Sequence, residues 1–209
     1  MATPPHLSPK LVVGVGSLLL TLLATWATTR TAGYPTHRPL RSWPTRLATR
    51  LRRELPRGDH LTAAWAAIAL WSVLVTGLHF GGVIYNVYTV IPWWDLLTHA
   101  MGGLGVAALL AFTFRGQTLR APLWVVPAVL AIGAGFEVYE FLFKRFWHHW
   151  SLEFYVVDTV VDLVVNTAGA GVFAVATAAY RNRVGVDAAE AFGDPDPESV
   201  TDSDRGSYR

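Results

Sequence analysis

The sequence contains no cysteine, which excludes disulfide bonds, thiolate nucleophiles and Cys-ligated metals. Lysine is nearly absent too, with Lys10 and Lys144 standing against 15 Arg. Charge of either sign is scarce: Asp, Glu, Lys and Arg make up 15% of the 209 residues, where soluble domains average roughly 25%. No phosphate-binding loop, nucleotide fingerprint, or haem or flavin signature is present, so no large organic cofactor is expected. Ser72 and Ser151 lack a neighbouring triad pattern, and nothing else supports covalent catalysis.

What is abundant is apolar residue, at 52% of the chain. Five apolar stretches are long enough to cross a hydrocarbon core of about 30 Å at 1.5 Å per residue. They run over Leu11–Ala27, Leu61–Phe80, Leu96–Phe114, Leu123–Phe143 and Phe154–Tyr180. The expected fold is therefore all-α, a polytopic integral membrane bundle of about five transmembrane helices. Its parts are an N-terminal segment with the first helix (1–32), an Arg-rich loop (33–60), a four-helix membrane core (61–183) and a disordered acidic tail (184–209). Seven of the 15 acidic residues fall between Asp187 and Asp204, in a stretch rich in Asp, Pro, Ser and Gly that cannot support a core.

The stretch from Arg30 to His60 carries eight Arg and one Glu. The positive-inside rule puts it in the cytoplasm. Counting outward from it and leaving aside Arg205 and Arg209 of the tail, twelve basic residues fall inside and three, Lys10, Lys144 and Arg145, outside. The expected topology is N-terminus out and C-terminus in, in the cell membrane. A rival reading takes Lys10 and the apolar run up to Ala32 as a cleaved signal peptide, but the run is long for one and the arginines that follow oppose export. Within the loop, Trp43, Leu47, Leu51 and Leu55 recur every fourth residue among arginines, with Pro44 suited to a first turn. This predicts a short amphipathic helix on the anionic leaflet, or else a solvated basic linker. Nucleic acid is not an expected partner. Tyr85, Tyr88, Trp93 and Trp94 in one loop, and Trp147 and Trp150 in another, suit a membrane interface.

Ionisable residues inside a membrane are costly, and each is a functional candidate. Here they converge: His79 closes the second apolar stretch, Asp95 and His99 open the third, Glu137 and Glu140 end the fourth, and Asp158, Asp162 and Asn166 stripe the fifth at i, i+4, i+8. With alternating helix directions all eight lie in the outer half of the membrane. Residues three or four apart share a helix face, and small residues nearby, Gly102, Gly133, Gly169 and Ala170, let backbones approach in lipid. The five carboxylates have no Lys or Arg at comparable depth. They must be protonated, be paired with His79, His99 or a downward-reaching Lys144 or Arg145, or hold a bound cation. Carboxylates, imidazoles and an amide carbonyl suit a hard or borderline divalent metal. The plain alternative is that these groups hydrogen-bond one another and lock the bundle.

The runs DLLTH at 95–99, FEVYE at 136–140 and DTVVDLVVNTAGAG at 158–171 together resemble the VanZ-like superfamily of small polytopic membrane proteins and related uncharacterised bacterial and archaeal families. The resemblance spans Asp95 to Gly171. It implies a fold, a set of paired motifs and an envelope role, with no established chemistry. VanZ-like proteins usually have a basic residue where Leu96 stands and a Gln where Glu140 stands. The chain is thereby nearer the uncharacterised relatives, and glycopeptide resistance is not carried over.

The leading expectation is an outward-facing, cation-binding site that binds or acts on an envelope lipid. As an enzyme it would be a metal-dependent hydrolase or transferase of lipid head groups. Asp95, His99, Asp158, Asp162, Asn166 and His79 are then the candidate metal ligands, and Glu137 or Glu140 the general base. A proton- or cation-coupled transporter is the second reading. It would need a homo-oligomer, since five helices show no internal repeat, and a polar path through the inner half of the last three helices, which the sequence lacks. The third reading is a structural or accessory protein.

Overall fold

A computed structural model of the chain describes residues 10–36 and 39–184, with the backbone alone at 146–147. The acidic tail from residue 185 onward, Arg38 and the Trp147 side chain lie outside the described residues. Among the described residues eight α-helices follow in order: α1 (Leu11–Arg30), α2 (Trp43–Glu54), α3 (His60–Ile84), α4 (Val87–Val90), α5 (Trp94–Thr113), α6 (Arg115–Arg120), α7 (Val125–Phe143) and α8 (Leu152–Val184). Five of them, α1, α3, α5, α7 with its lead-in from Pro122, and α8, are long and apolar enough to cross a membrane.

Their packing is inverted relative to a water-soluble bundle. On α1 the exposed positions are large and apolar, Leu18, Leu19, Leu22, Leu23 and Trp26, while the buried ones include Gly14, Ser17, Ala24 and Thr28. On α8, Val160, Val164, Val172 and Val175 point outward and Gly169, Ala170 and Ala174 inward. Such a surface is stable only in lipid, where association comes from close packing of small residues. The threonines of α1 fit the same solvent: Thr21, Thr25 and Thr28 each donate to the carbonyl one turn back, leaving no unsatisfied hydroxyl proton.

α5, α7 and α8 form the centre. α8 packs most extensively on α5, α1 covers α7, and α3 leans on α5. The closest approach is between α5 and α8: a Cβ on Gly103 would collide with the Asn166 backbone, and one on Gly169 with the Ala100 carbonyl. Gly102, expected to be the contact glycine, instead faces open space. The residue one place further along turns toward α8.

Two contacts fix which helix ends share a membrane face. Lys10 Nζ donates to the His148 carbonyl at 2.9 Å, joining the start of α1 to the α7–α8 loop. At the other end Arg181 donates to the Arg120 carbonyl at 2.6 Å. The α2 region and α6 lie at that second end. There a dry core of Ala107, Leu110, Phe114, Trp124, Val125, Val129 and Ala170 closes the bundle. α8, at 33 residues, is about 50 Å long and so outreaches the hydrocarbon core.

The Arg-rich segment does form a helix where the four-residue periodicity places one, but α2 docks on the bundle as well as carrying exposed arginines. Trp43 packs at a tilt against Phe114 and edge-on against Trp124, with ring centroids 5.0 and 5.8 Å apart. At its other end Glu54, only 2% exposed, accepts from Arg50 (3.0 Å), Arg115 (2.9 Å) and Trp65 Nε1 (2.7 Å). The backbone of this turn is held too, since Thr62 donates to the Glu54 carbonyl at 2.8 Å, and Asp59 caps α3 through Leu61 and Thr62. Burial pushes the Glu54 carboxyl up, but the hydrogen bonds from Trp65, Arg50 and Arg115 and the charge of Arg115 prevail and leave it below its ordinary value.

Two outcomes follow from this packing. Glu54→Ala leaves two guanidiniums and an indole N–H without their acceptor and should cost on the order of 3 kcal/mol, read as a lower melting temperature in detergent with faster amide exchange in α2. Because the folded carboxyl is depressed, its contribution is present above the unfolded value of about 4.3 and is lost as pH falls through the lowered value; Glu54→Gln should lack that part of the acid sensitivity. Second, Gly103→Ala and Gly169→Ala should each destabilise by about 1–3 kcal/mol, whereas Gly102→Ala should be near neutral.

Candidate functional site

Asp95 sits in the first turn of α5 and His99 one turn later, on the same face. The close α5–α8 contact brings Asp162 opposite them. His99 Nε2 lies 3.4 Å from Asp95 Oδ1 and 3.6 Å from Asp162 Oδ2. One ligand atom from each of the three residues falls within 4.8 Å of the others. Asp162 is buried, and Asp95 and His99 are partly so. Both carboxylates stand within ion-pair distance of the ring, at the long edge of hydrogen-bonding range. Three donors bound tetrahedrally at about 2.1 Å stand about 3.4 Å apart, which is close to the two spacings around His99 Nε2.

The other expected ligands are arranged differently. His79, from the end of α3, is paired through Nδ1 with the Tyr88 hydroxyl of α4 at 2.8 Å. Asn166 is wedged between α5 and α7: its Nδ2 lies 2.5 Å from where a Cβ of Gly133 would be. Asp158 falls outside the three-residue group, in electrostatic range of Asp95 and His99. Of the two candidate bases, Glu137 is 5% exposed and accepts from Thr159 Oγ1 at 3.2 Å. Glu140 interacts electrostatically with His99, Lys144, Asp158 and Asp95.

Five of these groups, His79, His99, Glu137, Asp162 and Asn166, border a partly open cavity of about 420 Å³ between α3 and α7, floored by α5 and α8. His79, His99, Glu137, Asp162, Asn166 and Lys144 line its polar part, and Val75, Val106, Ile132 and Leu163 its apolar part. Phe80, Phe136 and Tyr139 also line it and are exposed on the lipid-facing surface. The cavity therefore reaches the exposed apolar flank of the bundle.

Thr159 and Tyr88 were not among the residues expected from sequence. Thr159 could have been found, because it falls on the inward stripe with Asp162, Leu163 and Asn166 at helical spacing. Tyr88 offered no such signal, since its pairing with His79 depends on the turn at Asn86, which takes the left-handed conformation at φ 56°.

A five-span bundle with a polar cavity inside its apolar shell defines a polytopic membrane protein. More particularly, residues 59–183 match the family described as predicted membrane protein (DUF2238), and the chain belongs to it. The match takes in every residue of the cavity and leaves out α1 and nearly all of the Arg-rich segment. No curated protein and no solved structure matches the chain.

The Glu137–Thr159 pair gives a local test. Thr159→Val strands a buried carboxyl and should cost about 1–3 kcal/mol, while Glu137→Gln retains an acceptor for the hydroxyl and should cost less. Thermal unfolding of the two variants in one detergent makes the comparison.

Proposed function

We propose that Asp95, His99 and Asp162 bind a divalent metal cation and that the adjoining cavity receives the head group of an envelope lipid, which the protein binds or hydrolyses. The observation that carries this reading is the spacing around His99 Nε2, with a carboxylate oxygen at 3.4 Å on one side and at 3.6 Å on the other. Both spacings match those between donors that share one ion, and the three donor atoms lie within 4.8 Å of one another. A bound ion would supply charge stabilisation at a phosphoryl or acyl oxygen. Glu137, lining the same cavity and oriented by Thr159, would accept the proton of an attacking water. Lys144 at the rim adds a positive charge suited to an anionic head group.

The concentration of arginines at the α2 end supports assigning that end to the cytoplasm. The site would then face outward in the plasma membrane. The likeness of the three motifs to VanZ-like proteins supports an envelope role. A coupled transporter is less well supported, because the bundle beneath the cavity is filled by Ala107, Leu110, Phe114, Val125 and Val129, all at most 9% exposed.

Elemental mass spectrometry of detergent-purified protein tests the proposal. Wild type should carry a near-stoichiometric divalent metal. His99→Ala and Asp162→Ala should lose it, by about tenfold or more in affinity, and Asp158→Asn should keep most of it. Metal-free wild type, with the first two variants merely less stable, would leave the cluster as structural glue and sink the metal reading.

A further inference from the structure

The end of the bundle that carries α2 and α6 has an excess of positive charge. Arg41, Arg52 and Arg183 are exposed there. Among the described residues the carboxylates of that end are Glu54, already met by three donors, and Asp59, which caps α3 and lies 3.1 Å from Arg57. Both are committed elsewhere.

The residues of α2 divide between two faces. Leu47, Arg50, Leu51 and Glu54 are buried or half-buried, while Thr45, Thr49, Arg52 and Arg53 are exposed at i, i+4, i+7 and i+8, on one side of the helix. Trp43 is held against Phe114 and Trp124. With its apolar residues turned to the bundle, α2 presents a hydrophilic face outward, suited to a charged chain in water rather than to acyl chains.

The end of α8 is tied to the same region. Arg181 donates to the Arg120 carbonyl at the end of α6, and Arg115 at the start of α6 donates to Glu54 at the end of α2. α6 has six residues and is about 9 Å long, so the chain leaves α8 at Val184 close to α2. Beyond the described residues its sequence carries seven acidic residues between Asp187 and Asp204, with Arg205 and Arg209 only after them. At about 3.3 Å per residue this run extends from about 10 Å to about 66 Å past Val184. All of it is within reach of α2.

We infer that residues 187–204 dock on the outer face of α2 as an intramolecular counter-charge, their carboxylates against Arg41, Arg52 and Arg183. Tethering favours this occupant over a separate acidic protein, because a linked segment is presented at an effective concentration in the millimolar range. Docked there, it shields the arginines from anionic head groups of the adjoining leaflet.

Because the chain has no cysteine, spin labels attach only where one is introduced. Double electron–electron resonance between labels at Thr49→Cys and Ser199→Cys, in the full chain held in phosphatidylcholine nanodiscs, reads the separation of the two segments. At about 0.1 M salt a short, narrow component should dominate. At about 1 M, where the Debye length falls from about 10 Å to about 3 Å, it should give way to the broad distribution of a free coil. Arg41→Gln/Arg52→Gln/Arg183→Gln should lower the short component about eightfold, at about a factor of two per exposed contact. Asp194→Asn/Asp196→Asn/Glu198→Gln should do the same from the other side. A distribution that ignores both salt and these substitutions would overturn the proposal, as would a response to the arginine variant alone. Loss of the short component when phosphatidylglycerol replaces phosphatidylcholine would overturn it too, and would assign this face of α2 to the leaflet.

Discussion

Asn166 on α8 lies one turn beyond Asp162, and Gly103 on α5 lies one turn beyond His99. The contact between Asn166 and Gly103, together with Gly169 against the Ala100 carbonyl, locks the two helices in register. A methyl group at either glycine would push them apart. Without that register Asp162 would not stand 3.6 Å from His99, and the cavity would have no polar floor. Asn166 also reaches Gly133 of α7, so one amide side chain sets the spacing of all three central helices. The geometry of the candidate site is thus inherited from backbone packing, which suits a site that must hold its donors at fixed separation before any ligand arrives.

The two ends of the bundle treat buried charge in opposite ways. At the α2 end a single carboxylate, Glu54, is met by two arginines and an indole N–H, and the aromatic core beside it is closed. At the other end five carboxylates gather with His79, His99 and Lys144, and two of them, Glu137 and Asp162, line the cavity. The first arrangement is complete in itself. The second carries more negative than positive groups, and in a low-dielectric setting that imbalance is costly unless protons or a cation relieve it. A fold that can build a fully compensated carboxylate at one end has not done so at the other, and this contrast is the reason for placing function there.

The five spans were legible in sequence because lipid removes the ambiguity of amphipathic patterns: length and apolar content suffice. The polar cluster was legible for a related reason, since each ionisable residue in such a span stands out against its neighbours. Glu54 was not, because in an Arg-rich loop a lone acid reads as surface charge; its burial follows only from docking of α2 against α3 and α6. The choice between Gly102 and Gly103 was likewise out of reach, as adjacent residues differ by about 100° around a helix and one sequence does not show which side meets α8. Nor could spacing alone separate Asp162, which joins His99, from Asp158, which does not, because both fall on one stripe at i and i+4.

The dry plug of Phe114, Trp124 and Val129 bears on more than stability. A path for protons or ions needs polar groups or water along its whole length, and among the described residues the polar lining of the first cavity stops at Asn166, with Val106 and Ile132 beyond it. A ligand in that cavity would have to leave by the side it came from, between α3 and α7. For a soluble ligand this would mean crossing the lipid-facing surface where Phe80 and Tyr139 are exposed, an unfavourable route. For a lipid it is the shortest one, because the tail never leaves the hydrocarbon and only the head group moves to meet His99. The lipid reading proposed above thus asks for no route through the plug and stands apart from the metal reading.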